Sequence, residues 1–169
     1  MIHLYYGEGK GKTTTAVGLA LRAAGSGLRV LFIQFFKAGD SGEIKALSHV
    51  QNVEILSPSV HYGRYKMLSD GQKAAVGDHY AFLLHEVIER APEYDLIVLD
   101  EAVAAYRYAM IDSDTLLSFL QTEGQNREIV LTGRDPAPEL LALADYATEM
   151  RKEKHPYDRG VAARKGIEF

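Results

Sequence analysis

Apolar residues recur along the chain in two alternating rhythms. Ile2 to Tyr6 is a short apolar run that predicts a strand, followed at once by Gly7-Glu8-Gly9-Lys10-Gly11-Lys12-Thr13-Thr14. Ala16, Leu19, Ala20 and Ala23 then fall at helical spacing until Gly25 and Gly27 end the pattern. Arg29 to Phe36 is a nearly continuous apolar run and predicts a second strand, broken by Gly39 and Gly42. A short helix around Ile44 and Leu47, a strand at Val53 to Leu56 and a loop from Ser57 to Met67 come next. Val76, Tyr80, Leu83, Leu84, Val87 and Ile88 trace one face of a long helix that stops before Pro92. Asp95 to Leu99 predicts a buried strand, and Leu116 to Leu120 a helix. Ile129 to Leu131 predicts a strand, and Pro138 to Ala144 a last helix.

Strands that alternate with helices predict an α/β protein with a parallel sheet covered on both faces. Ligands of such sheets gather beyond the carboxyl ends of the strands. Tyr6, Phe36, Leu99 and Leu131 each stand just before a polar or glycine-rich segment, so the chemistry is expected there.

Composition narrows the classes. The 169 residues carry 19 Lys+Arg and 23 Asp+Glu, a net charge of −4, which argues against broad nucleic-acid binding through many phosphate contacts. With no Cys, disulfide scaffolds, thiolate metal sites and thiol nucleophiles are excluded. No apolar run approaches the roughly 20 residues that span a bilayer, and no signal core follows Met1. The expectation is a single domain over 1–169, cytoplasmic, with no nucleic acid or membrane partner.

The glycine-rich segment between strand and helix has the chemistry of a phosphate loop. Its glycines let backbone N–H groups turn toward phosphate oxygens, and the helix N-terminus adds positive potential. Lys12 then reaches terminal phosphates and the Thr13 hydroxyl can ligate Mg²⁺. The usual first glycine lies five residues before Gly11, where this chain has Tyr6, so Gly7 marks a variant loop. A glycine turn with two solvated lysines is the plain alternative. Leu96 to Leu99 delivers Asp100 and Glu101 to the same edge, where a carboxylate can hold Mg²⁺ directly or through water. Arg134, after Leu131-Thr132-Gly133, can meet phosphate oxygens or be a surface arginine. Gln34 and Lys37 close the second strand, as ligand contacts or as ordinary strand capping.

Beyond these elements the chain resembles ATP:corrinoid adenosyltransferases of the CobA/BtuR/CobO type. The resemblance rests on Gly7 to Thr14, Gly18 to Gly25, Gln34 to Lys37, Val98 to Glu101 and Leu131 to Arg134. It continues through Ala144-Asp145, Thr148 to Arg151, Lys154-His155-Pro156, Gly160 to Ala163 and Lys165 to Phe169. It implies a three-layer P-loop fold, RecA-like, with a mostly parallel central sheet. It also implies transfer of the 5′-deoxyadenosyl group of ATP to the cobalt(I) of a corrinoid (cobalamin, cobinamide or cobyrinic acid a,c-diamide), releasing triphosphate.

By matching position, the resemblance puts Thr13 and Glu101 on Mg²⁺, with Asp100 in support. Lys12, with Lys10 and Arg134, would stabilise the departing triphosphate. Gly7, Glu8, Gly9, Lys10, Gly11, Lys12, Thr13, Thr14, Gln34, Lys37 and Arg134 would bind cosubstrate, with ATP reversed in the loop so that C5′ faces the corrinoid. A homodimer and a reduced flavin or flavoprotein as electron donor are implied as well. Many members carry an N-terminal extension, whereas this chain opens on its first strand. The family's corrinoid-side aromatics usually include Trp. Here Trp is absent and Tyr62, within His61 to Tyr65, falls in that region, as a corrin-facing ring or a surface tyrosine. The competing readings are a small P-loop ATPase and a noncatalytic ATP- or corrinoid-binding protein.

Overall fold

A computed structural model describes residues 1–37, 41–56 and 65–168. The strands are β1 (Ile2–Tyr6), β2 (Val30–Gln34), β3 (Val53–Leu56), β4 (Leu96–Asp100), β5 (Glu128–Gly133) and β6 (Tyr146–Glu149). The helices are α1 (Lys12–Gly25), α2 (Gly42–Leu47), α3 (Asp70–Arg90), α4 (Ala102–Arg107), α5 (Ser113–Glu123) and α6 (Pro138–Leu143). All strand pairings are parallel, in the order β3-β2-β4-β5-β1-β6.

Strand alternation divides the core into two layers. Val30, Phe32, Leu96, Val98 and Val130 pack with Ala16, Ala20, Ala23 and Ala24 of α1 and with Ile44 and Leu47 of α2. The small alanine face lets α1 lie close to the sheet. Leu31, Ile33, Ile97, Leu99, Ile129 and Leu131 point the other way, onto α3, α4, α5 and α6 through Leu84, Val103, Leu116 and Leu140. Each such fully buried side chain contributes about 1.5–3 kcal/mol by leaving water.

One strand boundary has a clear cause. The second strand is shorter than its apolar run because Phe36 turns left-handed (φ 58°), and its N–H donates to the Tyr80 hydroxyl over 2.6 Å. At the head of β4 the Asp95 N–H donates to Arg29 O at 2.9 Å while its carboxylate accepts the Arg29 N–H at 2.8 Å. The sequence pattern missed β6. Its four residues, Tyr-Ala-Thr-Glu, are all exposed and carry no apolar rhythm, and only the free edge of β1 makes them a strand.

Register aligns the functional ends. Tyr6 lies opposite both Gly133 and Glu149, and Gln34 lies opposite Asp100. The segments that leave β1, β2, β4 and β5 therefore emerge side by side.

Candidate active site

The phosphate loop leaves β1 at Gly7 and enters α1 at Lys12, with Gly11 left-handed (φ 115°) at the junction. It is anchored at both sides. Gly7 N–H donates to Gly133 O at 3.2 Å, and Gly9 N–H donates to Met150 O at 2.6 Å. A Cβ on Gly9 would stand 2.6 Å from Met150 O and 2.8 Å from Arg151 O, so the close approach requires glycine. The Lys12 ammonium donates to the carbonyls of Gly7 (2.8 Å) and Gly9 (2.7 Å) across the loop. Burial, then the charge of Arg134, lowers its pKa.

Asp100 is the hub beneath the loop. It is fully buried, as a carboxylate can be only when its oxygens are bonded. Oδ1 accepts the hydroxyls of Thr13 (2.9 Å) and Thr132 (2.7 Å), and Oδ2 accepts the Gln34 amide (2.9 Å). Thr132 also accepts the Glu101 N–H at 2.9 Å. Glu101 itself is left-handed (φ 63°), which turns the chain from β4 into α4. Burial, then repulsion from Asp100, raises the pKa of Glu101. Such a carboxylate is stabilised by a cation.

A cavity of about 460 Å³ is bordered by Lys10, Gly11, Lys12, Thr13, Thr14, Lys37 and Glu101, together with Glu43 and the tail residues Gly166 to Glu168. Lys10 is tied to that tail, donating to Ile167 O at 2.7 Å and pairing with Glu168 at 3.2 Å. Bonds from Arg164 hold the Glu168 pKa at about 2. Arg134 lies on an adjoining cavity of about 520 Å³ that also has Glu8, His155 and Tyr157 on its wall. There it pairs with Glu8 at 2.8 Å, both side chains being exposed.

Of the residues singled out from sequence, Lys10 to Thr14, Lys37 and Glu101 thus share one cavity, with Asp100 directly behind Thr13. Gly7 and Gly9 form the back of the loop. Gln34 is wholly buried with both ends of its amide engaged, Oε1 accepting from Ser41 at 3.1 Å. Tyr62 lies outside the described residues. Sequence reasoning missed Thr132 and Glu43. A lone threonine at the end of an apolar strand was the available signal for the first; a glutamate opening a short helix gave none for the second.

Oxygen donors suit Mg²⁺, which binds through one or two carboxylates or hydroxyls and keeps water or phosphate on its other positions. Thr13 and Glu101 on one wall fit that requirement. Among the described residues no group of three or more His, Asp or Glu forms a complete metal cage.

The strand–loop–helix with Gly11-Lys12-Thr13, backed by an acid at the end of a parallel strand, defines a P-loop nucleotide-binding protein. Solved structures share that RecA-like fold. Flagellar accessory protein FlaH of Methanocaldococcus jannaschii superposes with a TM-score of 0.54 at 19% identity, over 88% of this chain and 69% of its own. A KaiC-like protein of Pyrococcus horikoshii OT3 gives 0.53 at 14%, over 91% and 73%. The family model described as ATP:corrinoid adenosyltransferase BtuR/CobO/CobP matches residues 1–169, and the chain belongs to that family. The corrinoid adenosyltransferase of Pseudomonas aeruginosa is 30% identical over 98% of this chain and 82% of its own length. Corrinoid adenosyltransferase CobA of Salmonella typhimurium is 31% identical, over 100% and 85%. The chain is an enzyme that adenosylates corrinoids with ATP. No described helix is long and apolar enough to cross a membrane.

Proposed function

We propose that Gly7 to Thr14 cradle the triphosphate of ATP, with C5′ turned toward a corrinoid at the carboxyl edge of the sheet. The lone pair of cobalt(I) forms the cobalt–carbon bond as the C5′–oxygen bond breaks and its electron pair leaves with triphosphate. No proton needs to be removed, so the protein's tasks are alignment and stabilisation of the charge that develops on the leaving oxygen. Lys12 supplies the nearest fixed charge, and Lys10 and Arg134 add charge from the loop's rim. Thr13 and Glu101 hold Mg²⁺, which when bound neutralises phosphate charge, and Asp100 orients the Thr13 hydroxyl. Lys37 borders the same cavity.

The observation that carries this reading is the presence of Lys12, Thr13 and Glu101 on the wall of one cavity. For Tyr62, outside the described residues, the resemblance supports a role in contacting the corrin. The working form is a single cytoplasmic domain over 1–169, paired as a homodimer and supplied with electrons by a reduced flavin or flavoprotein.

The test is an anaerobic reaction in the dark with Mg·ATP and chemically reduced cob(I)alamin. Photolabile adenosylated corrinoid with an equal amount of triphosphate, seen by phosphorus NMR, supports the reading. ADP and phosphate without a cobalt–carbon product would favour the ATPase. ATP binding without turnover on any corrinoid offered would favour a carrier.

A further inference from the structure

Glu43 and Lys37 form a closed ring of polar contacts with Gln34 and Asp100. Glu43 Oε1 accepts from Gln34 Nε2 at 3.1 Å and from Lys37 Nζ at 2.9 Å. The same two donors address one oxygen of Asp100, with Gln34 Nε2 at 2.9 Å and Lys37 Nζ at 3.7 Å from Oδ2. Two acceptors and two donors thus alternate around four sides. The ring occupies Oδ2 and leaves Oδ1 to Thr13 and Thr132.

Charge is what the ring controls. Asp100, Glu101 and Glu43 put three carboxylates near Thr13, and Lys37 is the cation lying directly between two of them. Lys37 and Glu43 both border the cavity that contains Thr13 and Glu101, so their charges act on it through partly excluded solvent, where screening is weak.

We infer that Glu43 and Lys37 are a matched pair of positioning residues that set the affinity of the Thr13–Glu101 site for its divalent cation through Asp100. This inference rests on the Mg²⁺ position proposed above. Lys37 subtracts from the negative potential at that position. Glu43 holds Lys37 partly off Asp100 and restores what Lys37 removes. The two side chains therefore act with opposite sign, although each is bonded to the other. A pair that merely propped up the fold would act with the same sign.

The experiment measures binding of a fluorescent ATP analogue, at fixed concentration, as Mg²⁺ is titrated into the full chain. Lys37→Met should lower the half-saturating Mg²⁺ by roughly threefold or more, and Glu43→Gln should raise it by a similar factor. The double variant should return to within about twofold of the parent, and Lys37→Arg should stay near it. If Lys37→Met does not fold, Lys37→Gln makes the same comparison. Single variants that shift the midpoint in the same direction, or not at all, overturn the inference. Thr13→Val is the separate control: an unchanged Mg²⁺ midpoint there would overturn the cation position itself.

Discussion

Thr13 donates its hydroxyl hydrogen to Asp100 Oδ1 over 2.9 Å, joining the first turn of α1 to the end of β4 across 87 positions of sequence. Replacing Thr13 by Val removes one of the bonds to a fully buried carboxylate while Thr132 and Gln34 keep theirs. The expected loss of stability is about 1–2 kcal/mol by denaturant titration. The adenosylation rate should fall far more than that loss explains, with part of it regained at high Mg²⁺. Wild-type turnover in Thr13→Val would remove Thr13 from the site.

Lys12 spans the loop by bonding the carbonyls of Gly7 and Gly9. Lys12→Ala should fold normally and lose about 10²-fold or more in kcat for triphosphate release, the scale on which one preorganised charge contributes. Single-turnover kinetics with cob(I)alamin measure this directly. A loss below about threefold would mean that the departing charge is stabilised elsewhere.

Gly9 touches the backbone that leaves β6. A methyl group there meets Met150 O and Arg151 O at 2.6 and 2.8 Å, neither of which is the end of a flexible side chain. Gly9→Ala should therefore push the loop away from Met150 and weaken ATP binding at least about tenfold, at a stability cost of about 1–3 kcal/mol. ATP titration and thermal melts separate the two effects. Unaltered ATP affinity would show that the loop tolerates the displacement.

Burial acts to raise the Glu43 pKa, but the bonds from Lys37 and Gln34 outweigh it and hold the carboxyl at about 2. Its folded pKa lies below its ordinary value of 4.5. Its contribution to stability is thus fully present above pH 4.5 and is lost as pH falls toward 2. The melting-temperature deficit of Glu43→Gln should be largest near neutrality and shrink between those two pH values. A deficit that stayed constant across that range would contradict the ion pair as its source.

Tyr62→Ala should slow adenosylation that starts from cobalt(II) and a reductant more than adenosylation that starts from preformed cobalt(I). The prediction follows from the corrin contact proposed for Tyr62, which would keep a lower ligand off cobalt and so ease its reduction. Equal effects in the two assays would reject that role.

What the sequence determined by itself was local. Among the described residues, the two apolar rhythms placed five of six strands, Gly11-Lys12-Thr13 marked the loop, and the end of an apolar run pointed to Asp100 and Glu101. Short-range patterns encode these features because burial repeats every two residues in a strand and every three or four in a helix. The order of strands decided the rest. Tyr146–Glu149 has no apolar rhythm and becomes β6 only because β1 leaves an edge beside it. Thr132 meets Asp100 across 32 positions, and Arg134 meets Glu8 across 126. In sequence Gln34 reads as a ligand contact or a strand cap, and its bonds to Asp100 and Glu43 appear only once β2 and β4 pair. A polar side chain gives no sign in sequence of which partner will satisfy it. Tertiary pairing makes that choice, because a buried polar atom must find its bond wherever the folded sheet brings one.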